Sequence, residues 1–132
     1  MSGVSIEMDD LQSGDLVTRT NVSLGELKEC IKKLDGQRHS IMTLRILGAE
    51  CYGHMCIGGG PDLYIVYYTM NNLSFHQLVS STDKGDDFIT LFIGDESYYP
   101  VNHCVGFEKA WKAIVYYFTN QCIDGNSLWM EC

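Results

Sequence analysis

The sequence predicts an α+β domain, a mainly antiparallel twisted sheet of five to six strands with two packed helices. Three observations lead there. Apolar residues recur at a period near 3.6 in two separate segments, around residues 24–34 and 107–118. Between them, from Ile41 to Asp95, the period drops to two and turn residues punctuate the apolar blocks. The coarse order is therefore helix, strands, helix rather than alternating βα units. At 132 residues the chain is the size of one domain, so residues 1–132 read as a single unit.

Residues 1–20 are polar with scattered Val4, Ile6, Leu11, Leu16 and Val17, the pattern of a possible edge strand or loose arm. Ser23 and Glu26 have capping-box spacing, in which each side chain accepts from the other residue's free backbone N–H. The helix that follows carries Leu24, Leu27, Ile31 and Leu34 on one stripe and stops at Asp35-Gly36. Strands are expected at Ile41 to Leu47, Cys51 to Ile57, Leu63 to Met70 and Leu73 to Val79. The second should end at Gly58-Gly59-Gly60-Pro61, and the third, apolar on both faces, should be central. Asn71-Asn72 is the expected turn between the third and the fourth.

After the charged loop Asp83 to Asp87, Phe88 to Ile93 reads as a fifth strand that resumes the sheet. Gly94 to Ser97 reads as a turn, and Tyr98 to Val105, interrupted by Pro100, as an edge strand at best. The second helix is Phe107 to Asn120, with Phe107, Ala110, Trp111, Ile114, Val115 and Phe118 on its apolar stripe. Asp124-Gly125-Asn126 turns the chain into a short terminal segment, Leu128 to Cys132, anchored by Trp129.

Nine basic against seventeen acidic residues leave a net charge of −8. That balance opposes direct binding to a nucleic-acid backbone and suits a basic protein partner. The first ten residues lack the basic and apolar regions of a secretory signal, which predicts a cytoplasmic location. The longest apolar run, Leu63 to Tyr68, falls far short of the ~20 residues a membrane helix requires. The six cysteines (Cys30, Cys51, Cys56, Cys104, Cys122 and Cys132) are expected to be reduced, mostly buried thiols.

No familiar catalytic or metal-binding pattern stands out. Cys51, His54 and Cys56, with His103 and Cys104, are the nearest approach to a zinc or Cys/His nucleophile set. No CxxC knuckle is present, and strand alternation puts Cys51 opposite His54 and His103 opposite Cys104. The triple glycine precedes a strand and lacks the Lys-Ser/Thr of a phosphate loop. No catalytic residue, metal or cofactor is therefore assigned, and the expectation is a binding protein rather than an enzyme. The binding candidates are turn carboxylates and tyrosines: Asp83, Asp86 and Asp87 in one loop, and Asp95, Glu96, Tyr98 and Tyr99 in the next. A small-molecule pocket between the sheet and the second helix, lined by Tyr64, Tyr67, Tyr68 and His76, is the alternative. A structural subunit of a homo-oligomer is a third reading.

The order of motifs from Ile41 to Trp129 resembles immunity protein family one of bacterial polymorphic toxin systems. The likeness is carried by Ile57 to Gly60 leading into Leu63 to Tyr68, by Gly94-Asp95 followed by Tyr99-Pro100, by Glu108, Ala110, Trp111 and Phe118, and by Trp129. The resemblance implies an α+β protein of the bacterial cytoplasm that binds the C-terminal domain of a cognate toxin in a 1:1 heterodimer and occludes its active site. A nucleic-acid deaminase is the toxin class it most readily implies, and it implies no catalytic residues.

Overall fold

The computed structural model describes residues 3–46, 53–70, 73–81, 85–125 and 129–131. The fold is α+β, with a twisted antiparallel sheet and two helices on one of its faces. In chain order the elements are β1 (Val4–Asp9), β2 (Leu16–Arg19), α1 (Leu24–Lys32), β3 (Ile41–Ile46), β4 (His54–Gly59) and β5 (Tyr64–Thr69). They continue with β6 (Phe75–Leu78), β7 (Phe88–Ile93), β8 (Asp95–Pro100), a 3-10 turn (Val101–His103), α2 (Phe107–Asn120) and β9 (Trp129–Glu131). Seven strands form the main sheet in the order β2-β1-β3-β4-β5-β6-β9, while β7 and β8 pair only with each other.

The first twenty residues are the main correction to the strand count. They supply two strands rather than one edge strand or a loose arm: β2 is the edge of the sheet, and β1 lies inside it between β2 and β3. Strict alternation explains it: Val4, Ile6 and Met8 are buried against the helices, while Ser5 and Glu7 point to the other face. In register across the sheet, Met8, Met42, Ile57 and Val66 form one row of the core and Ile6, Leu44, Met55 and Tyr68 the next.

Ser23 caps α1 as its spacing predicts, its hydroxyl accepting from the Glu26 N–H at 3.1 Å while Glu26 accepts from the Ser23 N–H. Leu27, Ile31 and Leu34 are fully buried, and each such side chain contributes ~1.5–3 kcal/mol of transfer free energy. Helix α2 spans the residues its periodicity predicts, but its deepest line runs through Ala110, Ala113, Ile114 and Tyr117. Phe107, Trp111 and Phe118 flank that line, half-buried against the core. The two helices touch where the Lys28 ammonium sits 5.7 Å from the centre of the Trp111 ring.

Strand β4 does not stop before its glycines. Gly58 pairs with Ile65 and Gly59 with Tyr64, so the ladder runs two residues past Ile57. The reason is tertiary. A Cβ on Gly58 would lie 2.6 Å from Ile93 Cγ2, so the bare backbone is the floor on which β7 rests. A Cβ on Gly60, at φ +87°, would lie 2.0 Å from the Leu34 carbonyl oxygen, where the end of α1 crosses the same loop.

The β7–β8 pair is the second correction. Phe88 to Ile93 is a strand with the expected bounds, but it does not resume the main sheet. Gly94 alone makes the turn, at φ +76°, and Asp95 to Pro100 is the return strand rather than turn plus edge. Val105 makes a single bridge to Tyr64. The expected turns at Asn71-Asn72 and Asn126, the strand ends at Leu47, Cys51 and Leu128, and Cys132 lie outside the described residues.

Two outcomes follow for stability. Gly58→Ala should cost about 1–3 kcal/mol in urea unfolding, and adding Ile93→Ala should recover part of that loss because the clash partner is shortened; equal losses that simply add would show that Ile93 does not rest on Gly58. The second concerns acid. Asp10 is held below the usual carboxyl value, 3.8, chiefly by its hydrogen bond from Arg38. Asp35 is likewise lowered, first by the Gln37 N–H and then by those of Arg38 and His39. A carboxyl lowered in the folded state stabilises fully above its unfolded value and ceases to as pH falls through its folded one. Urea midpoints should therefore fall below pH ~4, and less steeply in Asp10→Asn/Asp35→Asn, which lacks both titrations.

Candidate partner-binding hairpin

Antiparallel pairing gives the β7–β8 hairpin two distinct faces. Ile89, Leu91 and Ile93 on β7, with Ser97 and Tyr99 on β8, face the main sheet at the glycine end of β4. Phe88, Thr90, Phe92, Glu96, Tyr98 and Pro100 share the other face. Phe88 is 62% exposed and Tyr98 75%. They are diagonal neighbours, since Phe88 pairs with Pro100 and Tyr98 with Thr90.

Both ends of the hairpin are tied to the body. At the tip, the Gly94 N–H donates to Ser40 Oγ at 2.9 Å. The Ser40 hydroxyl in turn donates to Asp9 Oδ2 at 2.5 Å, while Asp9 Oδ1 accepts from the Ser40 and Ile41 N–H groups at 2.6 and 3.0 Å. Asp9 thus orients the serine so that its oxygen is free to accept from the hairpin turn. At the base, the Val101 N–H donates to the Asp87 carbonyl at 3.1 Å and the Ser80 N–H to the Asn102 carbonyl at 2.8 Å.

The expected binding residues are not one ring. Asp86 and Asp87 are exposed just before β7, whereas Asp95 and Glu96 are exposed at the tip. A six-residue strand separates the two groups by roughly 17 Å, about twice the screening length at physiological salt. Two independent negative ends therefore flank the exposed aromatic pair. Tyr98 and Tyr99 also part company: Tyr98 faces solvent, while burial pushes the Tyr99 hydroxyl above its usual range, with the Asp95 charge adding to the effect. Tyr99 is thus withdrawn from the outer face. Asp83 lies outside the described residues. Phe88 is the residue that sequence reading missed. Its signal was the parity of the strand about Gly94, hidden once Asp95 to Ser97 was read as turn.

The alternative pocket does not assemble. Tyr64, Tyr68 and His76 lie on the helix face of the sheet and Tyr67 on the opposite one. Tyr68 is packed edge-on against Tyr117 at 5.4 Å, and Tyr64 edge-on against Phe107 at 6.2 Å, so side chains fill the space proposed for a ligand. Tyr67 lies between His54 and Phe75. Beside it the Cys56 thiol is 3.3 Å from Thr43 Oγ1, and burial raises the pKa of both Cys56 and Tyr67. Such a thiol is a poor nucleophile. Cys104 is raised in the same way. Cys30, Cys56, Cys104 and Cys122 are free thiols, and Cys122 is exposed. Among the described residues no three His, Cys, Asp or Glu side chains converge on a metal-sized site, and no helix is long and apolar enough to cross a membrane.

Ser40→Ala removes the acceptor for Gly94 and the donor to Asp9 together. The expected loss is about 1–3 kcal/mol. Amide exchange at Gly94, Asp95 and Glu96 should speed up at least about tenfold under conditions where the β4–β5 amides exchange as before. Unchanged exchange at the tip would show that the serine does not hold it.

No protein-family model matches the sequence, and no curated protein matches it. The fold is similar to that in the crystal structure of a hypothetical protein from Neisseria gonorrhoeae, with a TM-score of 0.63 over 97% of this chain and 94% of that one. Identity is 10%, so the likeness is one of fold.

Proposed function

We propose that this protein is an immunity protein, a stoichiometric inhibitor of a basic toxin domain, and that it docks through the outer face of the β7–β8 hairpin. The observation that carries the reading is the pairing of exposed Phe88 and Tyr98 between two exposed acidic ends on a chain of net charge −8. Aromatic side chains supply most of the energy of protein interfaces, because they bury a large area at little cost in side-chain entropy. Charge at the rim adds little affinity but speeds encounter with a partner of opposite sign. A toxin that works on nucleic acid carries a basic cleft, so an acidic hairpin that enters it covers the working groups and competes with substrate for the same field. The order of motifs that resembles the immunity family supports the same reading, and implies a protein of the bacterial cytoplasm that binds its toxin in a 1:1 complex.

Co-expression with the toxin-like product of the adjacent gene tests it. The protein should protect cells and co-purify with that product in a 1:1 complex. Phe88→Ala/Tyr98→Ala should weaken the complex at least about a hundredfold with stability retained, since both side chains are largely outside the core. Raising salt from 50 to 500 mM should slow association more than it speeds dissociation. Absence of protection and of any complex with the adjacent product would overturn the proposal.

A further inference from the structure

The β7–β8 pair has two edges, and the parity of its hydrogen bonds decides what each one presents. In an antiparallel pair only every second opposed pair of residues exchanges N–H to carbonyl bonds, and the residues between turn their own groups outward. The bond from the Val101 N–H to the Asp87 carbonyl lies in register with the pairs Phe88–Pro100 and Ile89–Tyr99. The bonded pairs are therefore Asp87 with Val101, Ile89 with Tyr99 and Leu91 with Ser97. The outward residues are Phe88, Thr90 and Phe92 on β7, and Glu96 and Tyr98 on β8.

The two edges are not equivalent. Near the tip the Phe92 carbonyl faces the loop after α1, where a Cβ on Gly36 would lie 3.9 Å from its oxygen. On β8, Glu96 and Tyr98 are exposed, and among the described residues nothing bonds to their backbone N–H or carbonyl groups. Two donors and two acceptors thus stand open in a row about 7 Å long. Pro100 closes the row, since it has no N–H and its carbonyl accepts from the Cys104 thiol at 3.6 Å.

An open edge is a template for another strand, which native proteins guard with charge or proline. Here the guard is selective. Pairing β8 with the β8 of a second copy would bring together two chains of net charge −8 and leave both Glu96 carboxylates without a cation. The exposed carboxylates of Asp95 and Glu96 instead favour a strand that carries a lysine or arginine to their side.

We infer that β8 is the docking edge for an extended segment of the basic partner, which adds to the hairpin as a third strand. The segment exchanges two main-chain hydrogen bonds with Glu96 and two with Tyr98. Residues opposed across a bonded pair share a face, so the partner residue opposite Glu96 is basic and the one opposite Tyr98, two positions away, is apolar or aromatic. This rests on the reading that the partner is a basic toxin domain, and it supplies the main-chain half of that contact.

The test is amide exchange by NMR on the full chain, alone and bound to the toxin-like product of the adjacent gene. Alone, the outward Tyr98 amide should exchange at least about a hundredfold faster than the Tyr99 amide, which is bonded to β7; in the complex it should slow by a similar factor. Glu96→Pro removes an outward N–H and no bond inside the hairpin, because proline is tolerated where an edge N–H faces solvent. It should weaken the complex at least about tenfold, against about two- to threefold for Glu96→Gln, with Ser97 and Tyr99 still protected. If Glu96→Pro loosens the hairpin, the Tyr98 exchange of the unsubstituted chain decides. Equal weakening by the two substitutions, or unchanged Tyr98 exchange in a complex that forms, would remove the docking edge and leave the inhibitor reading standing. Tyr98 protection that is present in the free chain and fades on dilution would give the edge to a second copy and overturn the proposal. Absence of any complex would remove the inhibitor reading and this occupant with it.

Discussion

The placement of the β7–β8 hairpin depends on one steric fact, that β4 has no side chain at Gly58. A sheet face normally presents a Cβ at every second residue, and a second layer packs about 10 Å away over those side chains. Here Ile93 descends to the backbone itself, because a methyl group at Gly58 would meet it at 2.6 Å. The hairpin therefore sits close to the main sheet without pairing with it. Its inner residues are half-buried, and on its outer face Phe88, Thr90, Glu96 and Tyr98 are exposed, while Phe92 lies near Gly36. The polar chain from Asp9 through Ser40 to Gly94 then sets the position of the tip. Apolar contact supplies the attraction in this arrangement and the hydrogen bonds supply the direction.

The division of labour between the two faces of the main sheet follows from the same geometry. The helix face is continuous from β1 to β6 and closed by α1 and α2, which bring the largest buried side chains together. Among the described residues, the opposite face is covered by the hairpin at its glycine end. Farther along it carries the Glu7–Arg45 ion pair, at 3.5 Å, and the Thr43, Cys56 and Tyr67 row. Both charged side chains of that pair are nearly half exposed, so it contributes little to stability. The largest buried side chains lie on one side of the sheet, and the hairpin with its exposed aromatic pair lies on the other. That separation lets the hairpin carry exposed Phe88 and Tyr98 without weakening the core.

Legibility differed sharply between elements for physical reasons. Helix α2 and the start of α1 were readable because capping and the 3.6 period are local: Ser23 and Glu26 satisfy each other, and Ala110, Ile114 and Phe118 repeat on one stripe. β7 was readable as a strand but not as a separate layer. Alternation tells which residues share a face and is silent about what the face meets. Strand β1 was underrated because its polar residues, Ser5, Glu7 and Asp9, look like those of a solvated arm until neighbours bury Val4, Ile6 and Met8 between them. The binding candidates were legible as residue types and not as a site, since Asp86 and Asp95 stand close in sequence but a full strand length apart in space.

By itself the sequence determined the α+β class, both helices and the Ser23 cap of the first, the apolar rows of the central strands and the surplus of negative charge. All of these depend on residues within a few positions of one another, or on counting. Tertiary structure alone decided that the hairpin leaves the sheet and that Phe88 joins Tyr98 while Tyr99 turns away. Each of these depends on the clearance between segments far apart in the chain, such as the absent methyl of Gly58 beneath Ile93, and clearance between layers has no signature in local periodicity.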